Sequence, residues 1–396
     1  MSTASSIAYD FVAPQRIVFG WGRRREVGTL GRALGRRAFL ICGSRTLLAQ
    51  GTVDEIADRL RAEGVEPTSA GTISHEPEVD DVDRVAAAVR RQAVSPGDFI
   101  LAIGGGAAID LAKAVAAMAT NDESPTVKDY LEGVGRGLKL GNDPLPVLAM
   151  PTTAGTGTEA TKNAVISSYD PPFKKSLRDE RLVPRVALVD PELTLSLPPA
   201  TTAASGMDAI TQLFESFISR KARPIPQALA MQGLKLAVPA IAEAVHHGAA
   251  REPREHMAHA ALLSGICLAN AGLGMAHGVA PALGVHHRVP HGTACALMLP
   301  VALRVNRRVR QAELARLARL LFAQGPSTAP DDAVDTLIHE VESLCKKVGV
   351  PRRLSEVGVT REHIPAIVAG SRGSSMSGNP RELSDEELTA ILEDIL

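Results

Sequence analysis

Residues 98–113 have the sequence DFILAIGGGAAIDLAK. The apolar run at its start is too short for a typical globular helix and ends at glycine, which indicates a buried strand of a parallel sheet. The alanine-rich half that follows predicts a helix. A glycine-rich turn between a strand and a helix lets backbone amides face a phosphate, and the helix N-terminus adds favourable partial positive charge. We therefore predict a phosphate-binding turn at Gly104, Gly105 and Gly106, with Asp110 in the first turn of the helix.

This turn does not match the GxGxxG fingerprint of dinucleotide-binding proteins, and a tight strand-to-helix turn without a ligand also needs glycine. A second turn favours the ligand-binding interpretation. The apolar run at residues 146–150 is followed by PTTAGTGTE at residues 151–159. Ligands of open α/β sheets bind beyond the carboxyl ends of strands. We therefore predict that Thr152, Thr153 and Thr156 contact phosphate or ribose from the opposite wall.

The two halves of the chain have different patterns. Short apolar runs in the first half predict strands at residues 15–20, 37–43, 98–103, 146–150 and 186–190. Strands that alternate with helices indicate an α/β domain with a mostly parallel sheet. After Pro191 only helical periodicity remains, at residues 203–220, 227–246, 255–271, 296–308, 311–323, 331–348 and 385–396. We predict a dinucleotide-binding α/β domain over residues 1–190 and an all-helical domain over residues 191–396.

The helical half contains the only spaced set of plausible metal ligands. Asp208 and Gln212 are four residues apart, so on a helix they project from one face. His277 and His291, from a later segment, complete a set with one anionic oxygen, one amide oxygen and two nitrogens. This mixture suits a divalent ion such as Fe²⁺ or Zn²⁺. The alternative is a helix-capping aspartate, an exposed glutamine and two ordinary histidines.

Composition restricts the possible partners. The chain has 396 residues, a formal net charge of −1 and only 3% aromatic residues, which argues against binding to nucleic acid or to an anionic membrane. Cys42, Cys267, Cys295 and Cys345 form no CxxC pair and are interpreted as small buried residues in a reducing compartment. Met1–Asp10 has no signal-peptide pattern, and no uninterrupted apolar run is long enough to span a membrane. We expect a cytoplasmic protein.

Eight motifs, in this order, resemble those of the iron-containing (group III) alcohol dehydrogenase family. They are RIVFGWG at 16–22, GGGAAIDLAK at 104–113, PTTAGTGTE at 151–159, VDPEL at 189–193, GMDA at 206–209, MAHG at 275–278, PHG at 290–292 and GNPR at 378–381. The resemblance implies a dehydroquinate synthase-like fold, with a dinucleotide-binding domain, a helical metal-binding domain and a cleft between them. It also implies a homodimer.

Carried over by position, Asp208, His277 and His291 resemble three of the family's four metal ligands. The fourth is usually a histidine four residues after the aspartate, where this chain has Gln212. An amide oxygen binds such an ion more weakly than imidazole does. Three strong ligands with one weak ligand or water still form a catalytic site with an open position.

The resemblance implies reversible hydride transfer between NAD(P)H and a small alcohol or aldehyde, with the metal as Lewis acid on the substrate oxygen. Relatives that prefer NAD often carry an aspartate in the turn after the second strand, where it repels a 2′-phosphate. Here Ser44 and Arg45 remove the repulsion and offer a cation, which favours NADP slightly. The alternative is that Arg45 points into solvent.

Three other functions remain open. A metal-independent reductase of the maleylacetate reductase type would use histidines to orient a carboxylated substrate, and Gln212 favours it a little. Lys174 and Lys175 would attract an acidic substrate, although a hairpin position is the simpler interpretation. The second function is that of the glycerol dehydrogenase or dehydroquinate synthase branch of the superfamily. The third is that of a non-catalytic member that binds nucleotide without turnover.

Overall fold

The computed structural model describes residues 8–322, 324–325 and 327–396. Its main sheet has six parallel strands in the spatial order β1-β8-β5-β4-β2-β3. The strands are β1 Arg16–Phe19, β2 Arg37–Cys42, β3 Glu66–Thr72, β4 Asp98–Gly104, β5 Val147–Pro151 and β8 Val186–Val189. A separate antiparallel hairpin consists of β6 Asn163–Tyr169 and β7 Pro172–Arg178. Lys174 and Lys175 therefore do lie on a hairpin.

Helices cover both faces of this parallel sheet, because the crossover connections between its strands place them there. Every residue of β4 is buried, which is typical of a central parallel strand. Successive side chains point to opposite faces, so Ile100 and Ala102 pack on one face of the sheet while Phe99 and Leu101 pack on the other. The helices of this half are α1 Val27–Leu34, α2 Arg45–Ala49, α3 Thr52–Ala62, α4 Val79–Arg90 and α5 Gly106–Met118.

The second half, within the described residues, is helical, which confirms the predicted architecture. Its α-helices are α6 Pro199–Ile218, α7 Pro224–His246, α8 Arg251–Ala271, α9 Met275–His287, α10 His291–Asn306, α11 Gln311–Leu321, α12 Pro330–Lys347, α13 Ile364–Gly370 and α14 Asp385–Asp394. The predicted end of one helix at residue 323 lies outside the described residues, as does most of the Met1–Asp10 segment.

One helix within the described ranges, α7, has the length and hydropathy of a membrane span. It packs against α6 and α8, and a core helix of a soluble protein passes the same test. Its apolar character is accounted for by the core of the helical half, which includes Leu234, Ala237 and Ile241.

The two halves meet at the turn after β5. Ala154 and Ala160 of the first half belong to the same core as Met207 and Ile266 of the second. Gly157 lies at the closest approach, since it has a φ of +60° and a Cβ there would be 2.4 Å from the Ala261 carbonyl oxygen. Only glycine allows this contact and this backbone conformation together. The threonine-rich turn therefore packs against α6 and α8. The residues predicted to contact the cofactor thus lie next to the helix that carries Asp208.

Candidate metal centre and cofactor turn

Asp208, His277 and His291 lie together, each contributed by a different helix. Asp208 is in the middle of α6 and only 2% exposed, His277 is in the first turn of α9, and His291 begins α10. The His277 Nε2 atom is 3.1 Å from Asp208 Oδ1, and the His291 Nε2 atom is 3.8 Å from the same oxygen. Three atoms that can ligate a metal therefore converge on one point.

A fourth side chain, Cys295, joins this cluster although the sequence predicted it to be structural. Its Sγ atom is 3.6 Å from His291 Nε2, and the side chain is fully buried. Cys295 follows His291 by four residues on α10, so both project from one face of that helix. The ligating atoms of Asp208, His277, His291 and Cys295 all lie within 4.8 Å of one another. The same spacing rule that selected Asp208 and Gln212 selects this second pair.

Gln212, predicted as the weak fourth ligand, makes hydrogen bonds to two neighbouring elements. Its Oε1 atom accepts a hydrogen bond from the Ser264 hydroxyl at 2.9 Å. Its Nε2 atom donates to the Thr156 carbonyl oxygen at 3.2 Å. The amide therefore links α6 both to α8 and to the threonine-rich turn.

Burial and neighbouring charges shift the pKa values of the side chains in the cluster. Burial, with the charges of Lys174 and His277, lowers the pKa of His291 to about 4, so the ring is neutral and offers a lone pair. Burial opposes ionisation of Asp208, but the hydrogen bond from His277 and the charge of that ring outweigh it and lower the Asp208 pKa. Burial raises the pKa of the Cys295 thiol to about 12. The Asp208 carboxylate thus supplies a negative charge for a positive ion, whereas His277, whose pKa is raised, must release its proton to ligate one.

Glu215 orients the His277 ring by hydrogen bonding to Nδ1, the ring nitrogen that does not contact Asp208. It lies two helical turns after Asp208 on α6, and its Oε2 atom is 2.7 Å from His277 Nδ1. Its Oε1 atom accepts the backbone N–H of Ala276 at 2.6 Å, so the carboxylate also caps the start of α9. Burial lowers the pKa of His277, but Cys295, Asp208 and Glu215 outweigh it and raise that pKa well above its ordinary value. A carboxylate behind a histidine fixes the ring and increases its basicity as a metal ligand.

Replacing Glu215 with glutamine is expected to weaken metal binding by about 10- to 100-fold, because the ring loses its anionic partner but keeps its position. Competition with a chromophoric chelator measures the dissociation constant. Glu252→Gln on the exposed start of α8 is the matched control. An unchanged metal affinity in E215Q would contradict the role of Glu215 in orienting His277.

The glycine turn and the threonine turn face each other at the carboxyl end of the sheet. The Thr152 N–H donates to the Gly104 carbonyl oxygen at 3.0 Å, which joins the two turns. A Cβ on Gly105 would be 3.1 Å from Thr153 Cγ2, and one on Gly106 would be 2.8 Å from Thr156 Cγ2. The amides at the start of α5 have no acceptor within their own helix. The two turns therefore pack against each other at the carboxyl end of the sheet, beside the N-terminus of α5.

Asp110, predicted to help bind the cofactor, points into the protein. Its carboxylate accepts a hydrogen bond from the Thr158 hydroxyl and is 3.4 Å from the Lys113 Nζ atom. Lys113 is fully buried, and its ammonium donates to Thr158 Oγ1 at 2.7 Å and Thr161 Oγ1 at 2.9 Å. The structure thus places Asp110 in a buried network that fixes the threonine turn.

Ser44 and Arg45 lie beside the glycine turn, at the end of β2. The neighbouring Gly43 Cα would be 3.0 Å from a Cβ on Gly104. The Ser44 hydroxyl accepts the Leu47 N–H at 3.2 Å and caps α2, while the exposed Arg45 donates to Ser74 Oγ at 2.9 Å. Arg45 is therefore held near the turn by a single exposed contact.

Comparison with known proteins covers both halves of the chain. The family model described as iron-containing alcohol dehydrogenase matches residues 14–191. The model of the C-terminal part of the Fe-containing alcohol dehydrogenase family matches residues 202–396. The crystal structure of a 1,3-propanediol oxidoreductase superimposes with a TM-score of 0.91 at 31% identity, covering 98% of this chain and all of that one.

Two curated relatives differ in the cofactor in their names. An NADPH-dependent butanol dehydrogenase of Clostridium saccharobutylicum is 31% identical over 397 residues, covering 97% of each chain. An NAD-dependent methanol dehydrogenase of Bacillus methanolicus is 30% identical over 388 residues, covering 98% of this chain and all of that protein. The sequence similarity therefore extends over both halves of the chain, and the similar enzymes include one named for NAD and one named for NADPH.

Proposed function

Because this chain belongs to the iron-containing alcohol dehydrogenase family, we propose that the cluster of Asp208, His277 and His291 is its metal and substrate site. The enzyme is an NAD(P)-dependent oxidoreductase that transfers a hydride reversibly between the cofactor and a small alcohol or aldehyde. The observation that supports the proposed site most strongly is the convergence of its ligating atoms, with that of Cys295, within 4.8 Å of one another.

The side chains present fit a divalent metal. They offer a carboxylate oxygen, a neutral imidazole at His291, and a second imidazole at His277 oriented by Glu215. When bound, the metal supplies Lewis-acid polarisation of the substrate oxygen. Asp208 would contribute the negative charge that holds the ion, and the two histidines would ligate it from α9 and α10.

We propose that the cofactor binds beside these two turns, at the carboxyl end of the sheet. The backbone amides at Gly104, Gly105 and Gly106 would bind its pyrophosphate at the N-terminus of α5, where the helix favours negative charge. Thr152, Thr153 and Thr156 form the facing wall. A short chain of contacts supports this placement: Gly106 adjoins Thr156, whose carbonyl accepts from Gln212, one helical turn from Asp208.

The test of this function is metal analysis of protein purified without chelator, paired with an NAD(P)H-oxidation screen over small aldehydes. We expect about one divalent metal per chain and turnover that is lost with chelation and restored by Fe²⁺ or Zn²⁺. Full turnover of a carboxylated substrate by metal-free protein would instead support the metal-independent reductase.

Arg45 is proposed to favour NADP(H) by contacting the 2′-phosphate. We expect kcat/KM for NADPH to equal or exceed that for NADH, and Arg45→Asp to shift the ratio toward NADH by about tenfold or more, equivalent to roughly 1.4 kcal/mol. Arg36→Asp, exposed at the opposite end of β2, is the matched control. A strong NADH preference in the unaltered enzyme would contradict the proposal.

We also propose a domain boundary between residues 190 and 191. The sheet ends with β8 at Val189, and the first long helix of the second half begins at Pro199. A cytoplasmic homodimer without nucleic-acid or membrane partners remains the expected form of the enzyme. Light scattering on purified protein measures its mass directly.

A further inference from the structure

The thiol of Cys295 lies where a fourth metal ligand would be needed. A tetrahedral ion with bonds of about 2.0–2.3 Å separates its ligand atoms by about 3.3–3.8 Å. The separations in the cluster are 3.1 Å from His277 Nε2 to Asp208 Oδ1, 3.6 Å from Cys295 Sγ to His291 Nε2, and 3.8 Å from His291 Nε2 to Asp208 Oδ1. The sulfur also lies within 4.8 Å of the ligating atoms of Asp208 and His277, so small side-chain adjustments would place it in the coordination shell.

The amide of Gln212 is less suited to that place. Its oxygen already accepts from Ser264, and its nitrogen donates to the Thr156 carbonyl. The Gln212 and Ser264 side chains are both buried, where a hydrogen-bond partner left unpaired is costly. Turning Oε1 onto a metal would break the bond from Ser264 and strain the link to the threonine turn. The contacts of Cys295 are with the other members of the cluster: its Sγ atom is 3.6 Å from His291 Nε2, and the thiol also interacts with His277 and Asp208. Ligation by the sulfur would therefore replace contacts within the metal site and break no link to another element.

We propose that Cys295 Sγ, and not the Gln212 amide, is the fourth protein ligand of the metal in this enzyme. This inference rests on the proposed function, because it concerns the same metal site. Ligation replaces the S–H bond with a sulfur–metal bond and releases one proton to solvent, with no change of oxidation state. The resulting set has two imidazoles, one carboxylate and one thiolate.

A thiolate changes which metal the site prefers. Sulfur is a soft ligand that favours Zn²⁺ and its spectroscopic substitute Co²⁺ over harder ions. We therefore expect Cys295→Ser to lower the affinity for Zn²⁺ by about 100-fold or more, since loss of a ligand should exceed the effect of losing a supporting partner. The affinity for Fe²⁺ should fall less, so the ratio of the two affinities changes.

The experiment uses full-length enzyme stripped by a chelator and reloaded with Co²⁺ or Zn²⁺. Absorption of the Co²⁺ form reports a thiolate-to-metal charge-transfer band, and X-ray absorption of the Zn²⁺ form reports a sulfur neighbour at about 2.3 Å. We expect both signals in the unaltered enzyme and in Gln212→Ala, and neither in C295S. Circular dichroism confirms that the variants are folded, and the X-ray absorption measurement needs no variant.

Two negative results have different meanings. Stoichiometric metal without a charge-transfer band or a sulfur neighbour, together with metal loss in Q212A, would overturn the role of Cys295 but leave the metal site intact. Failure of the unaltered enzyme to bind either ion would overturn the proposed metal site itself.

Discussion

Replacing Asp208 with asparagine is expected to remove the metal and to lower kcat/KM by about 10³-fold or more. The substitution keeps the shape of the side chain but removes the negative charge that is buried between His277 and His291. A Lewis-acid metal contributes several kcal/mol to stabilising the transition state, and about 4 kcal/mol corresponds to this factor. Elemental analysis and steady-state kinetics on the same preparation measure both losses.

Cofactor binding provides the internal control for this variant. The glycine turn lies at the start of α5, in the other half of the chain. The D208N variant should therefore still bind NADPH, as measured by quenching of NADPH fluorescence. Asp394→Asn, on the exposed surface of α14, makes the same chemical change away from the cleft and should leave both metal and activity unchanged. If D208N kept a full complement of metal and its activity, Asp208 would not be a ligand.

The elements that sequence reasoning located best are those whose burial is visible as a continuous apolar run. Strands β2, β4 and β5 are of this kind, because a central parallel strand is covered on both faces. The missed strand β3, with the sequence EPTSAGT, lies at the edge of the sheet and is only partly buried. Its polar residues give no periodic signal, so the pairing with β2 could not be foreseen.

Helix α10 begins five residues earlier than the sequence pattern predicts, and this earlier start brings Cys295 into the candidate site. The pattern predicted a helix from residue 296, whereas the helix begins at His291. With the later start, His291 and Cys295 would not share a helical face, and the thiol looked like an ordinary core residue. Helix α9 was missed for a related reason, since Pro281 and three glycines at its ends and centre weaken the helical pattern.

Gln212 shows a different limit of sequence reasoning. The four-residue spacing correctly placed it on the face of α6 that carries Asp208, but spacing does not reveal which groups arrive from other elements. Ser264 comes from α8 and the Thr156 carbonyl from the turn after β5, and both contact the amide. Glu215, by contrast, lies two turns after Asp208 and could have been identified as a supporting carboxylate from the helical repeat alone.

Replacing Lys113 with methionine is expected to destabilise the enzyme by about 3–5 kcal/mol, because removing one partner of a buried ion pair leaves the other uncompensated. The Lys113 side chain is fully buried, and its ammonium joins Asp110 to Thr158 and Thr161. Burial lowers the pKa of Lys113 and raises that of Asp110, although each charge opposes the shift in the other. Urea-induced unfolding followed by circular dichroism measures the loss.

The double variant Asp110→Asn with Lys113→Met distinguishes the buried network from direct cofactor binding. If Asp110 serves only to pair with Lys113 and Thr158, removing both charges should recover a large part of the stability lost in K113M, giving a coupling free energy of about 1–3 kcal/mol. If Asp110 instead contacts the cofactor, as its position in the first turn of α5 predicted, Asp110→Asn alone should raise KM for NADPH while unfolding at an unchanged urea concentration. The buried hydrogen bond from Thr158 favours the first result, because an aspartate committed to that hydroxyl and to the ammonium has no free orientation toward the cleft.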